Sequence, residues 1–235
     1  MADHCRLAIE AAGPACVAAK IQLACFERLG PDGWAVLHEV AAHARAAGLL
    51  VIADGKRGDV PVTARAYAEG LTGLGGDAYT ANPLLGRDSL KPLTSTGAGC
   101  FVLVRTSNPG AADVQDLEVG GAPLWERLAR IVDELGRDAL GQCGLSSVGA
   151  VTGATRPEHL TRMRELMPSA IFLLPGVGAQ GGRVEALGPA FESHPAAGLV
   201  SASRSIVNAH AERGGEPAAA AAAAAEELRA AVANL

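Results

Sequence analysis

The chain has 235 residues, of which 49 % are hydrophobic and 19 % charged, enough for a substantial buried core and too apolar for a disordered polymer. A net charge of −5, no Lys/Arg run and only 3 % aromatic residues argue against a nucleic-acid surface, which draws on a basic footprint or stacking platforms. Five dispersed cysteines without a C-x-x-C pair read as reduced small hydrophobes, and neither a leader pattern nor a membrane-length apolar run is present, so a cytoplasmic protein is expected.

In chain order, a helical segment at Cys5–Ala12 comes first, with no apolar strand before it. Short Val/Leu/Ile/Ala runs then predict strands at Val17–Gln22, Leu49–Asp54, Asp77–Asn82, Gly99–Arg105, Ser147–Val151, Ala170–Pro175 and Gly198–Ala202. Amphipathic stretches between them predict helices at Trp34–Ala47, Pro61–Leu74, Pro123–Leu135, Pro157–Met167 and Val184–Glu192. Continuous apolar strands, each followed by a helix, indicate a parallel sheet covered by helices. Seven strands favour a (β/α)8 TIM-barrel type over a doubly wound open sheet, one strand short of the full eight and apparently lacking the first. The whole chain, 1–235, reads as a single barrel domain. Its Ala-rich tail, 217–235, reads as a closing helix, because Ala has the best helix propensity and Leu228, Val232 and Leu235 give it one apolar side.

Asp54 ends an apolar strand, and in barrels the C-terminal strand ends carry the catalytic groups. The segment Asp54-Gly55-Lys56-Arg57-Gly58-Asp59 puts ions of alternating sign there, with Lys56 on the same side as Asp54 if the extended chain continues. Lys20 holds a similar place on the preceding strand, within reach of Asp54. A Lys20–Asp54–Lys56–Asp59 array fixes each charge by neighbours of opposite sign. It suits a decarboxylation through a carbanion: a carboxylate disfavours the departing group, and an ammonium stabilises the developing charge and delivers the proton. Neither a metal nor an electron-sink cofactor is expected.

Pro175-Gly176-Val177-Gly178-Ala179-Gln180-Gly181-Gly182 contains the dinucleotide spacing G-x-G-x-x-G, a weak signal alone. The next strand ends in Ser203-Arg204 rather than an acidic residue. A barrel accounts for both segments, because the loops after its seventh and eighth strands bind phosphate. Gln180, Gly181 and Arg204 are therefore the phosphate candidates. Thr106-Ser107-Asn108-Pro109 offers hydroxyls and an amide to a polar ring.

Together these motifs, with Lys20-Ile21-Gln22-Leu23-Ala24-Cys25-Phe26-Glu27 and Gly149-Ala150-Val151-Thr152-Gly153-Ala154-Thr155, resemble the orotidine 5'-phosphate decarboxylase family in its bacterial, actinobacterial branch, from about Cys5 to His210. The resemblance implies a homodimer of (β/α)8 barrels that converts orotidine 5'-monophosphate to uridine 5'-monophosphate and carbon dioxide without a cofactor, a step of pyrimidine biosynthesis. It implies that Lys20, Asp54 and Lys56 form the catalytic array of one subunit, with Lys56 as proton donor. Asp59 and Thr63 would serve the partner's site, Ser107 would bond the pyrimidine and help close the phosphate loop, and Gln180 and Arg204 would grip the phosphate.

The departures are the family's opening strand with its ribose-binding aspartate, unmatched here, Lys20-Ile21 for the branch's Lys-Pro, and Asp59-Val60-Pro61-Val62-Thr63 for its Asp-Ile-Gly-Ser-Thr. They leave open a start lying upstream, another element plugging the gap in the barrel, or a paralogue acting on another phosphorylated nucleoside or nucleotide. A non-catalytic nucleotide-binding homologue and the metal-dependent keto-sugar phosphate decarboxylases of the same superfamily are the other readings.

Overall fold

The computed structural model describes residues 1–178 and 180–235. The chain opens with helix α1 (Ala2–Ala12) and a tight turn at Gly13–Ala15, then enters strand β1 (Ala18–Gln22). A short helix α2 (Leu23–Glu27) and the longer α3 (Gly30–Ala46) lead to β2 (Leu50–Arg57), α4 (Pro61–Gly73) and β3 (Ala78–Ala81). Next come α5 (Arg87–Thr94), β4 (Gly99–Arg105) and a two-stranded hairpin, β5 (Glu118–Val119) with β6 (Ala122–Pro123). The second half holds α6 (Leu124–Gly136), β7 (Ser146–Thr152), α7 (Leu160–Leu166), β8 (Ala170–Pro175) and β9 (Gly198–Ser201). Helices α8 (Arg204–Val207), α9 (Ala209–Arg213) and α10 (Pro217–Ala233) complete it.

Among the described residues, seven parallel strands form one sheet in the order β1-β2-β3-β4-β7-β8-β9, a nearly closed barrel. It has the expected seven strands, and its end strands β1 and β9 each have one neighbour in the sheet. Alternate residues point inward, where Ile52, Ala78, Phe101, Val151 and Leu173 form a compact apolar plug. The other face of each strand meets the helices in a larger core containing Val51, Tyr79, Val102, Ala150, Phe172 and Leu174. This two-sided burial is why the strands read as uninterrupted apolar runs.

Helix α1 packs on α3 and α10. Ala12, Ile206, Ala221 and Ala225 meet in a small cluster there, and short side chains let α10 approach closely. Among the described residues, no helix is long and apolar enough to cross a membrane.

Most expected elements fall within a residue or two of the observed ones, but three readings need correction. The predicted helix Val184–Glu192 is two separate 3-10 turns, Val184–Ala186 and Gly188–Ala190, because Gly188 and Pro189 interrupt it. Pro157–Met167 divides into a 3-10 turn, Pro157–His159, and α7. The β5–β6 hairpin and helix α5 were not anticipated. The hairpin turns through Gly120 and Gly121, both at positive φ, as a two-residue connection requires.

Candidate active site

Asp54 lies near the C-terminal end of β2, one inward step beyond Ile52 in the barrel plug. Its side chain is 5 % exposed. In the β1–β2 register Gln22 stands beside Asp54 and Lys20 beside Ile52, so Lys20 reaches one inward step along the barrel to its partner. Lys20 Nζ donates to Asp54 Oδ2 at 2.8 Å, and Lys56 Nζ donates to Oδ1 at 2.6 Å. Thr80 on β3 also donates its hydroxyl to Oδ1, at 2.9 Å. Burial by itself raises the Asp54 pKa, but the charges and hydrogen bonds of Lys20 and Lys56 outweigh it. The carboxyl is held below the ordinary carboxylate range and is ionised at neutral pH.

The extended conformation does not continue to Lys56. Its φ is +47°, a left-handed value and the one positive φ among the described non-glycine residues. Left-handed backbone at a long side chain costs about 1 kcal/mol or more, so neighbouring contacts must hold it. Two glycines make the turn possible. A Cβ on Gly55 would lie 2.7 Å from Leu23 Cδ1, and one on Gly58 would lie 2.7 Å from the Asn82 carbonyl oxygen. The Gly-x-x-Gly spacing is thus a packing requirement.

Asp59 stands apart from these three groups. It is half-buried just before α4, and its Oδ1 accepts the N–H of Val60 at 2.7 Å. No ion pair joins it to Lys20 or Lys56 among the described residues. Thr63 lies in the first turn of α4, also half-buried.

Ser107 follows β4 and the phosphate candidates Gln180 and Gly181 follow β8, at the same end of the barrel as Asp54. Ser107 donates its hydroxyl to Gln180 Oε1 at 2.8 Å, and Thr155 donates to the Ser107 carbonyl at 2.9 Å. Ser107, Asn108, Pro109, Thr155 and Gln180 line a cavity of about 480 Å³ with Arg105 and Arg156. Arg105 is itself occupied by Asp116, through contacts of 3.0 and 2.8 Å. Gly176 closes the cradle at φ +106°, where a Cβ would lie 2.9 Å from Gln180 Oε1 and 3.0 Å from Ser107 Cβ. The Gly181 N–H is bonded to the Gly178 carbonyl at 2.7 Å, so this amide is engaged in the turn. Arg204 is exposed at the start of α8 and is not among the cavity-lining residues. It adjoins the glycine loop through Ser205, whose Oγ would be 3.0 Å from a Cβ on Gly178.

Residues 1–224 match the family model described as Orotidine 5'-phosphate decarboxylase / HUMPS family. The chain belongs to this family. It is 44 % identical over 225 residues to an orotidine 5'-phosphate decarboxylase of Rhodopirellula baltica, covering 91 % of this chain and 74 % of that protein. It is 47 % identical over 205 residues to one of Deinococcus radiodurans, covering 84 % and 74 %. A crystal structure of a putative orotidine 5'-phosphate decarboxylase from Streptomyces avermitilis superposes with a TM-score of 0.80 at 37 % identity, covering 97 % of this chain and 81 % of that one. The UMP synthase of Leishmania donovani superposes with a TM-score of 0.86 at 35 % identity, and the chain spans about half its length, 49 %.

Thr80 and Arg156 were missed by sequence reasoning. A threonine inside an apolar strand carries no signal of its own. Arg156, directly after Thr155 in Gly153-Ala154-Thr155-Arg156, could have been found from its place in the loop that follows the C-terminal end of β7.

Proposed function

We propose that this chain decarboxylates orotidine 5'-monophosphate to uridine 5'-monophosphate and carbon dioxide. The observation that carries the reading is the buried, ionised Asp54 held between two ammonium groups at 2.8 and 2.6 Å, at the catalytic end of a barrel.

In the proposed reaction the substrate carboxylate enters beside Asp54. The bond from the ring carbon to the carboxyl carbon breaks heterolytically, carbon dioxide leaves, and the electron pair stays on the ring carbon. Lys56 stabilises that charge through its ammonium, gives it a proton, and recovers one from water. Lys20 keeps Asp54 ionised and fixed. Ser107 and Gln180 act at the ring and phosphate, with Arg204 completing the phosphate grip and Gly181 shaping the loop around it.

The protein acts as a homodimer in this reading, with Asp59 and Thr63 completing the partner's site. Among the described residues Asp59 pairs with neither lysine of its own subunit, and Val60, Val62, Leu84 and Leu85 in the adjoining segments are 52, 81, 76 and 46 % exposed. Gly58 abuts Asn82, so the two loops that carry these residues adjoin. An apolar patch around two polar site residues suits a subunit interface.

The test is loss of orotidine absorbance on addition of the purified chain, with and without a chelator. Turnover insensitive to the chelator supports the reading. A folded dimer inert toward this nucleotide would overturn it, and turnover of a different phosphorylated nucleoside would then mark a paralogue.

A further inference from the structure

The β2–β3 ladder is irregular at the site. Ala53 pairs with Tyr79 and Arg57 pairs with Ala81. Between these two points β2 advances four residues (53 to 57) while β3 advances two (79 to 81). Asp54, Gly55 and Lys56 therefore bulge opposite one residue, Thr80. Bulges re-aim side chains next to active sites, and here the bulge contains both the carboxylate and the left-handed Lys56.

Thr80 is 1 % exposed, and its hydroxyl has two partners. Oγ1 accepts the Lys56 N–H at 2.8 Å and donates to Asp54 Oδ1 at 2.9 Å. In a regular ladder a β3 backbone carbonyl would take that N–H; in the bulge a side chain replaces it. The single hydroxyl ties the strained Lys56 backbone to the carboxylate that its own ammonium grips. The other charged group on Asp54 is Lys20, from β1, while Tyr79 on the opposite face of β3 bonds the Leu93 carbonyl.

We propose that Thr80 is a positioning residue for the decarboxylation, holding Asp54 and Lys56 in the reactive arrangement through its hydroxyl. Val at this position would keep the β-branched shape and lose both hydrogen bonds, whereas Ser would keep the hydroxyl. The proposal rests on the decarboxylase reading, so the experiment has one arm that needs turnover and one that does not.

In the first arm, Thr80→Val lowers kcat for orotidine 5'-monophosphate by about 100-fold with KM changed less than about threefold, the signature of a lost preorganised contact. Thr80→Ser restores kcat to within about fivefold of the parent. In the second arm, the Asp54 carboxyl carbon is titrated by NMR in the ligand-free proteins. Its midpoint lies at higher pH in Thr80→Val than in the parent or in Thr80→Ser, because a donor to the ionised form has been removed.

A Thr80→Val enzyme with kcat within threefold of the parent and an unmoved midpoint would overturn the proposal. So would a Thr80→Ser variant as impaired as Thr80→Val, since shape rather than the hydroxyl would then matter. If the parent itself does not turn over the nucleotide, the decarboxylase reading fails, and the Asp54 midpoint alone decides whether Thr80 positions the carboxylate.

Discussion

Replacing Asp54 with Asn tests the charge array most directly, because shape is kept and charge is removed. The carboxylate accepts three hydrogen bonds, from Lys20, Lys56 and Thr80. Two opposite unit charges about 4 Å apart at an effective dielectric near 20 attract by about 4 kcal/mol. Two such contacts disappear in Asp54→Asn, although solvent screens the Lys56 contact, whose side chain is 40 % exposed. If one contact's worth of electrostatic preorganisation is lost from the transition state, about 4 kcal/mol corresponds to a rate loss of about 1,000-fold. Stability falls too, because Lys20 and Lys56 are left without their shared counter-ion, although both side chains retain some access to solvent, 20 and 40 %. The expected result at saturating orotidine 5'-monophosphate is therefore a kcat at least about 1,000-fold lower, with a cooperative melt retained. A folded Asp54→Asn enzyme with kcat within tenfold of the parent would refute the reasoning.

The depressed Asp54 pKa also fixes a pH dependence. A carboxyl whose folded value lies below its unfolded one adds stability above the unfolded pKa, and that stability is lost as pH falls through the folded value. Urea midpoints of the parent should therefore fall more steeply below about pH 4 than those of Asp54→Asn; parallel acid limbs would contradict this. Arg164 is buried with its guanidinium 3.8 Å over the Phe172 ring and donates to the carbonyls of Met167, Ala170, Ala190 and Ala197; burial pulls its pKa down to about 10, so it is charged at neutral pH. Arg164→Met strands those carbonyls and should cost about 3–5 kcal/mol in urea denaturation, and a loss below about 1 kcal/mol would count against the clamp. Gly176→Ala forces a Cβ against Gln180 and Ser107 and should raise KM for the nucleotide about tenfold with a smaller effect on kcat; an unchanged KM would remove the Ser107–Gln180 bond from substrate binding.

What the sequence reveals depends on whether a residue's role is set by its own strand or by a neighbour. Gly99–Arg105 and Ala170–Pro175 match the observed strands to the residue, because both faces are buried and the apolar run stops where burial stops. Lys20 and Asp54 were legible because each terminates or interrupts such a run. Helix α5 was not, since Arg87–Thr94 contains Pro92 and its stability comes from tertiary packing against α4 and α6. Thr80 was illegible for a deeper reason. Its partners come from a bulge in the adjacent strand, and a register shift leaves no mark on the residue opposite it. Arg164 reads as an ordinary helix-surface cation, and only the turn at Met167–Ala170 and the 3-10 segment before Ala197 surround it with carbonyls.

The burial gradient across the array bears on why this arrangement suits a decarboxylation. Asp54, Lys20 and Lys56 are 5, 20 and 40 % exposed, so the carboxylate sits deepest and Lys56, the proposed proton donor, is the most exposed of the three. Two ammonium groups and one carboxylate leave one net positive charge. In the proposed reaction the substrate's negative charge is not lost as the bond breaks; it moves from the carboxylate to the ring carbon, while carbon dioxide departs neutral. A uniform positive field would bind both forms equally and accelerate nothing. Asp54 makes the field uneven, unfavourable where the charge starts, and Lys56 is aimed where the charge arrives. That aim depends on a backbone angle that a lysine would not adopt unaided, so the strain at Lys56 and the chemistry of the array are one requirement.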